Sequence, residues 1–298
     1  MNKSYSSYWI LVVGFLSIAI LIFVNFNKGT INKQIYKYSN KDNYIIANPN
    51  SYFIDSDFKF VKNYTDDVNN KEELLNYIYY VINTGEKKAN GTCSEEYIDC
   101  LNDFKEISNN TELLSNLNNY VHPYNSFKYI VFKSNSYGEF IIEIEHTYTD
   151  EMINEINLEV DNFIRNNISS NLTTTEKIRK VHDYVINNTD YDETASDSSK
   201  SAYGVFKNKK AVCSGYADAI SIFLNTLGIK NYRVSNDVHI WNLILVNGKW
   251  VHLDATWDDP ISNQNITSYD YFLIDTNKLI SLNDNEHNFD RSIFIEAE

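Results

Sequence analysis

The chain has 298 residues and a formal net charge of −14, from 26 Lys and Arg against 40 Asp and Glu. That balance excludes a nucleic-acid partner, because phosphate binding needs clustered cations. Hydrophobic residues make up 43% and aromatics 14%, with 23 Tyr and only 3 Pro, which excludes a disordered chain and leaves room for one large core or two modest ones.

From Trp9 to Val24 the run WILVVGFLSIAILIFV carries no charge and lies between Lys3 and Lys28. With Tyr8 and Phe26 as interfacial ends it approaches the roughly 20 residues of a bilayer span, so one transmembrane helix is expected within residues 1–27, anchoring the chain to the membrane through residues 9–26. No small-x-small cleavage site or lipidation cysteine follows, which favours an uncleaved anchor over a signal peptide. Lys28, Lys33, Lys37 and Lys41 run against the positive-inside rule. A short tail ahead of a single apolar run nevertheless behaves as a signal anchor, so the bulk of the chain is expected outside the cytoplasm.

Residues 28–150 are expected to hold a stalk and a small α+β membrane-proximal region. Residues 28 to 70 show no sustained period. Leu74, Leu75, Ile78, Val81 and Ile82 then recur at helical spacing from Lys71 to Asn83. A weaker helix is expected from Glu95 to Ile107. Cys93 and Cys100 are compatible with a disulfide in an oxidising compartment, but in one continuous helix seven residues span about 10 Å, beyond disulfide reach. Both readings stay open. Two strands, Phe127–Phe132 and Glu139–Tyr148, flank a turn at Ser134–Gly138.

Residues 151–298 are expected to form a second domain. A helix covers residues 150 to 167. The next is announced by Thr173 and Glu176, which have the form of a capping box, and by the stripe Ile178, Val181, His182, Val185 and Ile186. His182 on that stripe reads as a core histidine.

The segment AVCSGYADAISIFLNTLGI puts Cys213 at the start of a helix that Gly228 stops. Free amide N–H groups and the helix dipole there favour a thiolate, although a lone cysteine is as often a small buried hydrophobe. Next come two β-rich runs flanking Asn247-Gly248, a strong signal for a two-residue hairpin. That turn sets Val246 against Lys249, Leu243 against His252 and Trp241 against Asp254. His239 then shares the face of Asp254 as its diagonal neighbour. Ile240, Ile244, Val246, Val251 and Leu253 make the other, apolar face. A cysteine at a helix start, a histidine and an orienting carboxylate are the set used in covalent acyl transfer. His252 shares the face, so spacing alone leaves either histidine open as the base.

These motifs, with KIRKVHDYVINNTDYD and AYGVFKNKKAVCSGYA before them and YDYFLIDTNKLI after, ending near His287, resemble the bacterial transglutaminase-like superfamily over roughly residues 173 to 287. The resemblance implies a papain-like α+β transglutaminase core, a cysteine-bearing helix packed on an antiparallel sheet, with Cys213, His239 and Asp254 as catalytic residues. It implies acyl chemistry on amide or peptide bonds through a thioester and requires neither cofactor nor metal. Animal members use a tryptophan upstream of the cysteine for the oxyanion. Here Trp241, Trp250 and Trp257 all follow Cys213, so the oxyanion and support roles are expected of the Cys213 N–H, Tyr191 and Trp241. Protein or peptide substrates at the cell surface are expected, with water slightly favoured over an amine as acceptor. A non-catalytic binding module on the same fold is the alternative.

Overall fold

The computed structural model describes residues 3–28, 31, 35, 39, 44–55, 64–260 and 268–298, with side chains in the first helix described from residue 12. Lys3–Phe26 is one α-helix (α1). Among the described residues no helix is long and apolar enough to cross a membrane. The transmembrane span expected over residues 9–26 is therefore not found. Side chains as far as residue 11, Tyr8 and Trp9 among them, lie outside the described set, and the rest of the helix rises only about 22 Å. Lys33, Lys37 and Lys41 also lie outside the described residues.

The next elements are β1 (Asp67–Val68), α2 (Lys71–Thr84), β2 (Lys88–Cys93), α3 (Cys100–Asn109), α4 (Thr111–Asn119), β3 (Phe127–Ser134) and β4 (Glu139–His146). α2 starts because Asn70 accepts from the Glu73 N–H, and it ends at Gly85, whose φ of 74° closes the last turn. The strands form a sheet ordered β1-β2-β4-β3, parallel between β1 and β2 and antiparallel elsewhere. The helix expected from Glu95 begins only at Cys100. Cys93 ends a strand, so no continuous helix separates the two sulfurs, and they form a disulfide with 5.9 Å between Cα atoms.

After two long helices, α5 (Asp150–Asn167) and α6 (Thr174–Asn187), the short strands β5 (Asp190–Tyr191) and β6 (Lys210–Ala211) pair in parallel and lead into α7 (Cys213–Thr226). β7 (Asn231–Ser235), β8 (Ile240–Val246), β9 (Lys249–Leu253) and β10 (Phe272–Ile274) make an antiparallel sheet ordered β10-β9-β8-β7, and α8 (Thr276–Ser281) follows. Asn247 (φ 52°) and Gly248 (φ 82°) give the tight turn between β8 and β9, and the register has Val246 opposite Lys249 and Leu243 opposite His252, as the dipeptide predicts.

Both faces of this second sheet are buried. Ile244, Val246 and Leu253 pack with Ile220, Phe223 and Leu224 of α7. Trp241, Leu243, Tyr232 and Val234, on the other face, join Leu117 and Tyr120 of the first unit. The amino-terminal unit thus backs the sheet whose strand ends carry the candidate site.

Candidate active site

Cys213 is the first residue of α7, preceded by Val212 in an extended conformation, and it is half-buried. The helix start is clamped from below. Val212 donates to Ser199 O (3.0 Å), Ser214 Oγ donates to Lys200 O (2.8 Å), and a Cβ on Gly215 would meet Ser199 O at 2.6 Å. Only glycine admits that approach. Pairing of Tyr191 with Ala211 sets Tyr191 beside the strand that leads into α7.

His239 stands just before β8, and Asp254 just after β9. Strand pairing ends at Asn242 and Leu253, one position short of the expected partnership of Trp241 with Asp254. Asp254 N–H instead donates to Tyr271 O at 3.1 Å. Oδ1 of Asp254 accepts from the backbone N–H groups of Thr256 (2.8 Å) and Trp257 (3.1 Å), which fixes the carboxylate and leaves Oδ2 for His239 Nε2. Cys213 stands near enough to the same imidazole to help raise its pKa. The sequence-expected Cys213, His239, Asp254 and Tyr191 therefore meet in one place.

Burial opposes a charge on His239, but the charge and hydrogen bond of Asp254, with Cys213 behind them, outweigh it and raise its pKa to about 10. Burial likewise resists ionisation of Asp254, and His239 and His287 hold its carboxyl well below the usual range. The Tyr191 hydroxyl is raised, by burial first and then by Cys213, so it stays a proton donor at neutral pH.

A cleft of about 230 Å³ opens over His239, walled by Tyr191, Thr256, Trp257, Asp259 and Glu286. Burial raises Asp259 to about 6. Three larger hollows, about 470, 400 and 290 Å³, have none of the candidate residues in their walls.

His252 is not the base. It is buried, its Nδ1 accepts from Trp241 Nε1 at 3.1 Å, its Nε2 meets Thr276 Oγ1 at 3.0 Å, and burial lowers its pKa to about 3. With its N–H so engaged, Trp241 serves no oxyanion; its ring stacks on His239, 5.8 Å between centroids. His182 lies buried on α6 as expected, with Nε2 3.0 Å from Asp258 Oδ2.

One neighbour escaped the sequence reading as a site residue. His287 Nε2 lies 2.8 Å from Asp254 Oδ2, the oxygen that His239 also uses. The signal available was Asp284 three residues earlier, whose Oδ1 lies 2.9 Å from His287 Nδ1. Among the described residues, His239, Asp254 and His287 have possible metal-ligand atoms within 4.8 Å of one another. Their fit is to protons rather than an ion, since one carboxylate oxygen already lies at hydrogen-bonding distance from both imidazoles, too close for a metal between them.

The solved structures that resemble the chain include two of known description. One, a crystal structure of a TGase, is 17% identical over 47% of this chain and 46% of its own, with a TM-score of 0.32. The other, a candidate cysteine protease from Cytophaga hutchinsonii, is 13% identical over 43% of this chain and 61% of its own, with a TM-score of 0.29. This chain thus spans less than two thirds of either. No curated protein matches it. The sequence model of the transglutaminase-like superfamily matches residues 162–255, the stretch from the end of α5 to just past Asp254, so the chain carries a transglutaminase-like domain with the α+β fold described above.

Proposed function

We propose that the protein is a cysteine acyl-transfer enzyme acting on amide or peptide bonds through a thioester. The observation that carries this reading is a free Cys213 at a helix start near the His239 imidazole, whose Nε2 faces Asp254 Oδ2. The Cys213 thiolate attacks the carbonyl carbon, forming a C–S bond and an oxyanion. Collapse breaks the C–N bond, and the proton held on His239 goes to the departing nitrogen. His239, now neutral, takes a proton from the acceptor as it attacks the thioester, which releases the acyl product and restores the starting pair. The Cys213 backbone N–H, which has no acceptor within the helix at that position, and the Tyr191 hydroxyl are the oxyanion donors.

Water is the favoured acceptor. The half-exposed Cys213 supports this, because selection of an amine requires water to be kept from the thioester. Peptides or proteins at the cell surface are the proposed substrates. The exposed apolar side chains of α1, such as Phe15, Leu21 and Phe23, support attachment at a membrane. The Cys93–Cys100 disulfide supports an oxidising, extracytoplasmic location.

The test is incubation of the full chain in detergent with a panel of amide and peptide substrates, with and without a primary amine, against Cys213→Ala. Hydrolysed product that depends on Cys213 and persists when the amine is present is expected. A panel without any Cys213-dependent product would return the fold to a binding role, and amine adducts alone would replace water as the acceptor.

A further inference from the structure

His287 is 5% exposed and belongs to no step of the mechanism above. It comes from the loop after α8, 33 residues beyond Asp254, yet it shares a carboxylate oxygen with His239. Three features hold it there. Its ring is stacked on Tyr271 (4.9 Å between centroids) and edged by Trp241 (4.9 Å) and Trp257 (5.4 Å). Asp284 Oδ1 accepts from the backbone N–H groups of Glu286 (3.0 Å) and His287 (3.1 Å) and lies 2.9 Å from His287 Nδ1 without hydrogen-bond alignment, and Asp284 in turn accepts from Tyr271 Oη at 2.7 Å. Asn236 Nδ2 donates to the backbone carbonyls of Glu286 (2.6 Å) and Asn288 (2.7 Å) on either side of His287, while its Oδ1 accepts from the backbone N–H of His239 (2.9 Å). One side chain thus fixes the two histidine backbones relative to each other.

We infer that His287 is a positioning residue for the acyl-transfer site: its Nε2–H donates to Asp254 Oδ2 and, with Asp284 behind it, keeps that carboxylate ionised and aimed at His239. This rests on the Cys213, His239, Asp254 reading given above. Hydrogen bonds to a buried carboxylate favour its charged form, so loss of this donor lets Asp254 protonate at higher pH and releases the imidazolium that sustains the thiolate. The titratable groups facing the array are His239 and Cys213 on one side, and Asp284, Tyr271 and Asp258 on the other. Tyr191 and Glu286 lie at the cleft, and His252 feels His287 from behind. The acid side of the Cys213 reactivity profile is where they are read together.

The rate of Cys213 alkylation by iodoacetamide on the full chain in detergent, from pH 4 to 9, reads this directly, since the other two cysteines are paired. Wild type should react faster than the denatured chain; if it does not, the triad reading and this inference both fall. With that established, His287→Leu should move the acid limb up by about one pH unit, a tenfold loss of rate on the limb. His287→Gln, which keeps an N–H donor, should stay within about threefold of wild type. A folded Leu variant with the wild-type limb, or a Gln variant shifted as far as Leu, overturns the inference while leaving the triad intact. If the Leu variant does not fold, Asp284→Asn decides: an upward shift of the limb supports the inference, and an unchanged limb overturns it.

Discussion

At the scale of single residues, the pairing of His239 with Asp254 has consequences for stability as well as for chemistry. His239 has a folded pKa of about 10, above the roughly 6.5 of an unfolded histidine. Its contribution is therefore fully present below about pH 6.5 and is lost as pH rises towards 10. Asp254 is depressed, so its contribution is present above roughly pH 4 and is lost as pH falls further. Asp254→Asn should accordingly destabilise the fold by on the order of a few kcal/mol near pH 5 to 6, with the gap to wild type narrowing towards pH 10. Urea unfolding of both proteins across that range checks it, and a gap independent of pH would show that the carboxylate does not act through the imidazole. The two uses of Asp254 separate cleanly by atom, since Oδ1 is committed to backbone donors and Oδ2 to imidazoles.

At the scale of elements, the helix before the site tests how far local sequence sets local structure. Thr173 Oγ1 accepts from the Glu176 N–H (3.3 Å), while Glu176 Oε2 accepts from the Thr173 N–H (2.7 Å), closing the capping box on α6. Glu176 is held below its usual pKa by those Thr173 bonds. Thr173→Ala should cost about 1 kcal/mol in urea unfolding while Thr173→Ser should be nearly neutral, because the site is exposed and the alanine change removes a cap rather than packing. Equal losses for the two variants would assign the effect to the threonine methyl instead. This cap was legible in the sequence for the same reason that the Asn247-Gly248 turn and its register were: both depend on residues within a few positions of each other. Cys213 at a helix start and His239 near Asp254 followed from the same local rules. What stayed hidden depends on the rest of the fold. β2, KANGTC, has no apolar alternation and is a buried strand only because β1 and β4 cover its edges. The disulfide stayed an open alternative in the sequence because it depends on α3 starting at Cys100 rather than at Glu95. His287 reaches Asp254 through a loop pinned by Asn236, a contact across about 50 residues that no periodicity announces.

At the scale of the whole molecule, the first unit and the cysteine-bearing helix are joined through one buried cation. Arg233 on β7 pairs with Asp218 of α7 and donates to the carbonyls of Asn118 and Val121 (3.2 Å for Val121) and to Ser126 Oγ (2.9 Å), all at the end of α4 and in the loop after it. Asp218 also accepts from Tyr148 Oη at 2.5 Å, and that hydroxyl accepts from the Ala202 N–H at 2.8 Å, close to the turn that clamps the start of α7. Arg233 is 5% and Asp218 4% exposed, so neither charge has water to fall back on. Arg233→Ala would strand the carboxylate of Asp218 and orphan two backbone carbonyls, and removal of one partner from such a pair costs about 3–5 kcal/mol. Because the cation touches both sides of the joint, the loss should appear twice in one preparation: as a lower midpoint in urea, and as slower iodoacetamide labelling of Cys213 at neutral pH, since α7 loses the anchor that fixes its first turns. A stability loss with unchanged labelling would mean that the clamp made by Ser199 and Lys200 holds Cys213 without help from the amino-terminal unit. Slower labelling together with the stability loss would make residues 64–148 a working part of the site's scaffold.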